Sequence, residues 1–180
     1  MSIDKNFLMI GLGVLLIYLG AKIAFSFPWY ESNIPITGQS LAVLVVGFVL
    51  GRKRGVLVMA IYLILGLIGL PVFAKGGYGI ESFMGGSGGF LYGFLVGGYF
   101  SGVLQEEGYG KRFLHCIFSM AIGTIIILVF GIAQLCSIYG FEKALQYWFF
   151  PFWPGAIVKI ILGAIIIYYF PKDFCLGKRL

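Results

Sequence analysis

Apolar and polar positions along this chain occur in long blocks rather than in alternation. Six apolar stretches, each close to the roughly 20 residues that a helix needs to cross a bilayer, are separated by short polar segments. The apolar stretches cover residues 7–27, 34–50, 56–70, 86–103, 113–138 and 154–170. Sustained blocks of this kind are typical of membrane-spanning helices. The pattern predicts an all-α membrane protein, with a bundle of six transmembrane helices forming a single domain over residues 1–180.

Composition supports this class and excludes others. Apolar residues make up 60% of the 180 residues and charged residues 11%, and the mean hydropathy is +0.99. A soluble domain carries roughly 25% charged residues. Six spans use nearly the whole chain, so a separate soluble catalytic, nucleotide-binding or nucleic-acid-binding domain is excluded.

The distribution of the 13 lysines and arginines predicts the orientation. Two of them, Lys75 and Lys143, lie on one side of the predicted membrane, and Lys22 and Lys159 lie within spans. The other side holds Lys5, Arg52, Lys53, Arg54, Lys111, Arg112, Lys172, Lys178 and Arg179. This bias places both termini in the cytoplasm and Glu31, Lys75 and Glu142 outside. The first span lacks a small-residue cleavage site and is expected to be retained.

No pattern of catalytic or metal-ligating residues is visible. Cys116, Cys136 and Cys175 are scattered without metal-ligand spacing, and His115 is the only histidine. A phosphate-cradling glycine loop followed by lysine is also missing. We therefore expect neither an enzyme nor a metal site nor a bound cofactor, and any ATP that drives transport must bind to another subunit.

The two intramembrane lysines are the most informative charges, because burying a lysine at mid-bilayer costs about 2.5–3.5 kcal/mol on insertion scales. Lys159 follows Pro154 by five residues, which places it roughly 7–8 Å below the outer end of its helix. Either it snorkels to the outer interface, or it is a buried cation at the floor of an outward-facing pocket. In the second case its partner is a ligand carboxylate or carbonyl, or Glu81. Lys22 lies about five residues inside the outer end of the first span and is expected to snorkel to the outer interface.

Two other segments have a structural and a functional interpretation. Aromatic residues crowd residues 147–153 more densely than an interfacial belt requires, which favours an apolar pocket wall containing Trp148. The glycine-rich residues 76–89 form either an ordinary surface connection or a lid over an outer pocket. Small residues four apart permit close helix approach, and Gly20 with Ala24 offers such a face either to a partner subunit or to this bundle itself.

Several strings in the chain resemble the BioY family, the biotin-binding S components of energy-coupling factor (ECF) transporters. Residues 35–39 match a P-I-T-x-Q signature, residues 85–94 a G-P-T-G-G-Y-L-x-G-F string, and residues 154–159 a P-G-D-x-x-K string. The resemblance covers about Ala21 to Gly163. Four positions depart from the family pattern, where Gly86 replaces proline, Ser87 threonine, Phe90 tyrosine and Ala156 aspartate.

The resemblance implies a function and a set of ligand-binding residues. It implies high-affinity biotin uptake across the bacterial cytoplasmic membrane by a six-helix bundle with an outward-facing pocket. A transmembrane T component, which the Gly20 and Ala24 face would meet, and paired ATPases would supply the energy. The candidate substrate-binding residues, which include Trp148 of the aromatic cluster and the intramembrane Lys159, are Thr37, Gln39, Phe73, Gly86, Ser87, Gly88, Tyr92, Trp148 and Lys159.

Three other functions remain as alternatives. Ala156 is compatible with an S component for a different vitamin. A membrane interaction or scaffold subunit without a small ligand is a second alternative. An intramembrane enzyme is disfavoured because no catalytic constellation is present.

Overall fold

The structure, a computed structural model, describes residues 2–25, 36–146, 150–171 and 175. Its architecture is almost entirely helical, apart from two two-residue strands that pair antiparallel, with Ala24 opposite Thr37. In chain order the elements are α1 (Ser2–Lys22), β1 (Ala24–Phe25), β2 (Ile36–Thr37), α2 (Gln39–Leu67), a 3-10 turn (Ala74–Gly76), α3 (Gly79–Met84), α4 (Gly88–Glu106), α5 (Phe113–Tyr139), α6 (Phe141–Ala144) and α7 (Phe150–Tyr169).

Helix α2 is two antiparallel arms, residues 39–50 and 52–67, joined at Gly51. Gly51 has φ 76° and ψ 171°, outside the helical region. The amide nitrogen of Gln39 lies 2.8 Å from the hydroxyl of Tyr62, although 23 residues of straight helix would separate them by about 34 Å. The chain therefore reverses at a single residue. The sequence predicts a connection between the stretches 34–50 and 56–70, but Arg52–Arg54 already belong to the second arm. The first arm begins at Gln39 rather than at residue 34.

An ion pair supports this reversal. Glu106, at the end of α4, accepts a hydrogen bond from the backbone nitrogen of Arg52 at 3.1 Å. Its other carboxylate oxygen lies 3.0 Å from Nε of the same arginine. A carboxylate at the first turn of a helix satisfies a free N–H group and complements the helix dipole. Glu106 therefore holds the start of the second arm of α2 against α4.

Glycines allow the helices of the bundle to approach closely. An added Cβ on Gly47 would meet the backbone of Gly98 on α4, and one on Gly55 would lie 2.9 Å from Cα of Gly47 in the opposite arm. Glycine at these positions therefore lets the helix backbones pack closely within the chain. Helix α2 packs on α1 and α4, and α5 lies between α4 and α7. The core between them holds fully buried Tyr62, Phe48, Ile17, Met59 and Met120.

Within the described residues, two helices are long and apolar enough by themselves to cross a membrane: Phe113–Tyr139 and Phe152–Tyr169. Asn6–Lys22 is apolar but shorter. Helix α1 ends at Lys22 rather than near residue 27, because the chain enters β1, and α4 begins at Gly88 rather than residue 86. The glycine-rich segment includes the short helix α3, so it is partly helical rather than irregular throughout.

Candidate functional site

A cavity of about 190 Å³ lies at one end of the bundle, where residues from five parts of the chain meet. They come from β2 with the start of α2, the segment between α2 and α4, and helices α4, α5 and α7. Its polar lining residues are Thr37, Gln39, Ser40, Ser82, Ser87, Thr124 and Lys159. Its apolar lining residues are Phe73, Ala74, Gly77, Phe90, Leu91, Phe94, Ile127, Leu128, Phe152 and Ala156. An apolar wall with a few convergent polar groups is typical of a small-molecule site.

Aromatic rings build most of this wall. The ring of Phe73 packs edge-on against Tyr62 at a centroid distance of 5.6 Å and against Phe83 at 5.7 Å. Across the cavity, Phe90 of α4 packs on Phe152 of α7 at 5.4 Å. Such pairs fix ring orientation beyond the effect of burial alone. The result is an apolar wall to which the α2–α4 segment, α4 and α7 all contribute.

Lys159 reaches the cavity from α7. It is half-buried, and its ammonium donates a hydrogen bond to the hydroxyl of Ser40 at 3.0 Å. In the described part of the chain it forms no ion pair with Glu81, the acidic partner considered from the sequence. A cation held by one neutral hydroxyl retains two further N–H donors. The site therefore offers a positive charge and hydrogen-bond donors to a ligand.

Lys22 occupies a different place. It is exposed and lies outside the cavity, where its ammonium donates to the carbonyl of Pro71 at 3.3 Å and sits 4.9 Å from the ring centroid of Tyr18. It ties the end of α1 to the segment after α2. The two lysines predicted to lie within spans thus have different environments, and of the two only Lys159 lines the cavity.

Gln39 is held by a chain of hydrogen bonds. Its amide Nε2 donates to the hydroxyl of Tyr62 at 2.8 Å, and that hydroxyl donates to the carbonyl of Val72 at 2.7 Å. Gln39 is 3% exposed and Tyr62 1%. Buried polar groups of this kind must be paired, because an unpaired one costs the free energy of its desolvation. The arrangement links the start of α2 to the segment that carries Phe73.

The structure brings five of the predicted binding residues together, namely Thr37, Gln39, Phe73, Ser87 and Lys159. It does not bring Tyr92 to this cavity. Tyr92 packs against Phe83 at 5.7 Å on the outer side of α4 and borders a separate depression with Gln134. Leu91 does line the cavity, and the next residue of a helix points about 100° away.

Gly86 and Gly88 do not line the cavity. Gly86 lies in the turn before α4, and Gly88 packs against the carbonyl of Phe83 and the amide of Gln134, where no side chain fits. Trp148 lies outside the described residues.

Several functional positions were missed from the sequence. Gln134 on α5 donates to the carbonyls of Phe83 at 2.9 Å and Gly85 at 2.7 Å, so it holds the segment that carries Ser82 and Ser87. Ser40 and Thr124 line the cavity. The only signal for Gln134 and Thr124 was a polar side chain within the apolar helix α5.

Gly20 and Ala24, the residues predicted to face a partner subunit, lie in two different environments. An added Cβ on Gly20 would lie 3.0 Å from both the Cβ of Ala42 and the carbonyl oxygen of Gly38. Gly20 is buried in this contact, so it packs within the chain. Ala24 lies beyond the end of α1, in β1, and is exposed. The two residues do not form one continuous helix face.

Comparisons with known proteins give one consistent result. The family model described as BioY family matches residues 2–174. The biotin transporter BioY of Thermotoga maritima is 32% identical over 163 residues, which cover 90% of this chain and 93% of that protein. The probable biotin transporter BioY of Pyrococcus horikoshii is 34% identical with the same coverage. The crystal structure of an S-component for biotin from an ECF-type ABC transporter superposes with a TM-score of 0.81 at 23% identity, covering 93% of this chain and 90% of that one.

Proposed function

Since the chain belongs to the BioY family, we propose that it binds biotin and mediates its uptake across the membrane as the substrate-specific S component of an ECF transporter. One observation of the structure supports this assignment most directly. The cavity combines aromatic walls with a half-buried ammonium, Lys159, whose described partner is a neutral hydroxyl. Biotin has a fused ring, an apolar valerate chain and a carboxylate, so its parts complement those of the cavity.

The proposed topology has six spans, formed by α1, the two arms of α2, α4, α5 and α7. Helix α4 carries cavity residues Phe90 and Leu91 near its start and Glu106 at its end, about 23–24 Å further along its axis. The Arg52–Glu106 pair therefore lies at the end opposite the cavity. With the basic clusters facing the cytoplasm, the cavity opens outward and both termini are cytoplasmic.

The proposed partners are a transmembrane T component and ATPase subunits of an ECF module. An apolar groove of about 750 Å³ between α1, the start of α2 and α7 supports a helical partner on this side. Leu16, Leu19 and Ile23 of α1 line it and are 45%, 49% and 55% exposed. Gly20 lies at its floor and Ala24 beyond the end of the helix.

A binding experiment tests the function directly. The purified protein is titrated with biotin in a calorimeter, and the ligand that co-purifies with it is identified by mass spectrometry. We expect saturable biotin binding and biotin in the purified sample. Co-purification of a different vitamin, with no response to biotin, would instead favour an S component for that vitamin, since Ala156 lines the cavity at the position where the family has aspartate.

The docking proposal has a separate test in cells that express the complete module. Ala24 is exposed, so a larger side chain there would obstruct a docked partner without reaching the cavity. We expect Ala24→Val to reduce biotin uptake and to leave biotin affinity unchanged. Gly20→Val places atoms against Gly38 and is expected to disturb packing within the chain as well. Normal uptake by a well-expressed Ala24→Val protein would exclude position 24 from the docking surface.

A further inference from the structure

Tyr62 determines which atom of Gln39 faces the cavity. The carbonyl of Val72 is only an acceptor, so the single hydroxyl hydrogen of Tyr62 is used in donating to it at 2.7 Å. The Tyr62 oxygen then accepts from its other neighbour, which lies 2.8 Å away. That neighbour must be the amide N–H of Gln39, since its carbonyl oxygen there would place two acceptors against each other.

The remaining polar atom of the side chain is therefore the carbonyl oxygen Oε1. Gln39 lines the cavity, and in the described part of the chain its Oε1 has no hydrogen-bond partner and is not among the fully buried unpaired atoms. Tyr62 does not itself line the cavity and is 1% exposed. An acceptor thus faces the ligand, and the residue that orients it lies behind the wall.

We propose that Tyr62 is a positioning residue that holds Gln39 with its carbonyl oxygen toward the ligand, so that this wall of the site recognises an N–H donor. The inference rests on the proposed function, under which the donor is a ureido N–H of biotin. A buried acceptor left without a donor costs free energy. The site therefore discriminates against a ligand that presents only an acceptor at this position.

Substitutions at Gln39 test the orientation. Glutamate at this position keeps an acceptor toward the cavity, and in its protonated form the O–H group replaces the amide N–H that donates to Tyr62. We expect Gln39→Glu to bind biotin within about fivefold of the parent, and Gln39→Leu to bind about tenfold to a hundredfold more weakly. A larger loss for Gln39→Glu than for Gln39→Leu would show that the N–H group faces the ligand and would overturn the proposal.

A double-mutant cycle tests whether Tyr62 acts through Gln39. Tyr62→Phe keeps the ring but removes the hydroxyl, and we expect it to weaken biotin binding about tenfold in the parent but by less than twofold in Gln39→Leu. Equal losses in both backgrounds, or no loss in either, would overturn the proposal. Parent protein that fails to bind biotin would instead refute the proposed function, and with it the inference.

A matched control separates positioning from general stability. Ser101 is fully buried and donates to the carbonyl of Leu44 at 2.8 Å, away from the cavity. Ser101→Ala removes a buried hydroxyl–carbonyl bond of the same kind as Tyr62→Phe does. We expect it to lower the unfolding temperature and leave biotin affinity unchanged; an equal loss of affinity would mean that any core defect weakens binding.

Discussion

At the scale of single residues, Lys159 carries the only charge among the described residues that line the cavity. Its contact with Ser40 at 3.0 Å is a hydrogen bond to a neutral group. A cation removed from bulk water and paired only with a hydroxyl is incompletely compensated for its lost hydration. We propose that an oxygen of the ligand, either a carboxylate or a carbonyl, supplies the missing interaction.

Lys159→Ala is therefore expected to weaken biotin binding by about tenfold to a hundredfold. A hydrogen bond to a charged group contributes about 1.5–3 kcal/mol, and 1.4 kcal/mol corresponds to a factor of ten. Calorimetric titration of the purified variant measures the loss. Lys22→Ala is the matched control, because Lys22 is exposed and bonds Pro71 outside the cavity. Unchanged affinity in a well-folded Lys159→Ala protein would contradict the assignment.

Biotin amide identifies which ligand oxygen Lys159 meets. If the ammonium meets the carboxylate, the amide binds the parent more weakly than biotin does, and the difference largely disappears in Lys159→Ala. If it meets the ureido carbonyl, the substitution weakens both ligands alike.

At the scale of elements, the segment between α2 and α4 depends on α5 for its position. The two hydrogen bonds from Gln134 hold the carbonyls of Phe83 and Gly85. Gly88 and Gly89 permit this contact, because an added Cβ on either would overlap the Phe83 carbonyl or the backbone of α5. Ser82 and Ser87 reach the cavity from this segment, so its order is coupled to the site.

Gln134→Leu is expected to accelerate biotin dissociation by about tenfold, because it leaves two carbonyls without their donor. Stopped-flow dissociation and hydrogen exchange of residues 79–87 measure the effect, and exchange should become faster. Ser137→Ala is the control on the same helix, since Ser137 is exposed and bonds only the backbone of Gln134. If both variants release biotin at the parent rate, the segment is ordered by other contacts.

The reversal within α2 is the second element-scale feature with a testable consequence. Gly51 has φ 76° and ψ 171°, a region that is essentially restricted to glycine and costs other residues about 1–3 kcal/mol. Gly51→Ala is therefore expected to lower the unfolding temperature in detergent. Gly11→Ala in α1 is the control, because no atom lies within 4 Å of the added Cβ. Equal unfolding temperatures for the two variants would contradict the strained reversal.

At the scale of the whole molecule, charge is distributed between the two ends of the bundle. Lys53 is exposed beside Gly51, at the end opposite the cavity, and Lys75 is exposed in the segment that borders the cavity. Because positive charge is retained in the cytoplasm, the proposed orientation places the end with Lys53 inside and the cavity outside.

Single-cysteine labelling tests this orientation. In a background without Cys116, Cys136 and Cys175, a membrane-impermeant maleimide is expected to label Lys75→Cys in intact cells. Lys53→Cys should react only after permeabilisation and serves as the opposite-side control. Labelling of position 75 only from the cytoplasm would reverse the proposed topology and the direction in which the cavity opens.

The sequence by itself determined the class of the protein, the family and the approximate apolar segments. The length and mean hydropathy of an apolar block depend only on the order of residues along the chain. The same is true of a short motif such as residues 35–39. The same reasoning identified Lys159, because an isolated charge in an apolar stretch is visible without knowing its surroundings. It also located the reversal near Gly51, although not its single-residue geometry.

Only the tertiary structure decided which helix faces meet at the cavity. Helix α4 is apolar on nearly all sides, so its sequence contains no polar face that would predict its rotation. Packing against the neighbouring helices decides that Leu91 faces the cavity and Tyr92 does not. Lys159 donates a hydrogen bond to Ser40, which is 119 residues away in the sequence, and Gln134 donates one to Gly85, which is 49 residues away. Such pairs depend on helix packing at distances that no local pattern encodes, and they determine the polar geometry of the site.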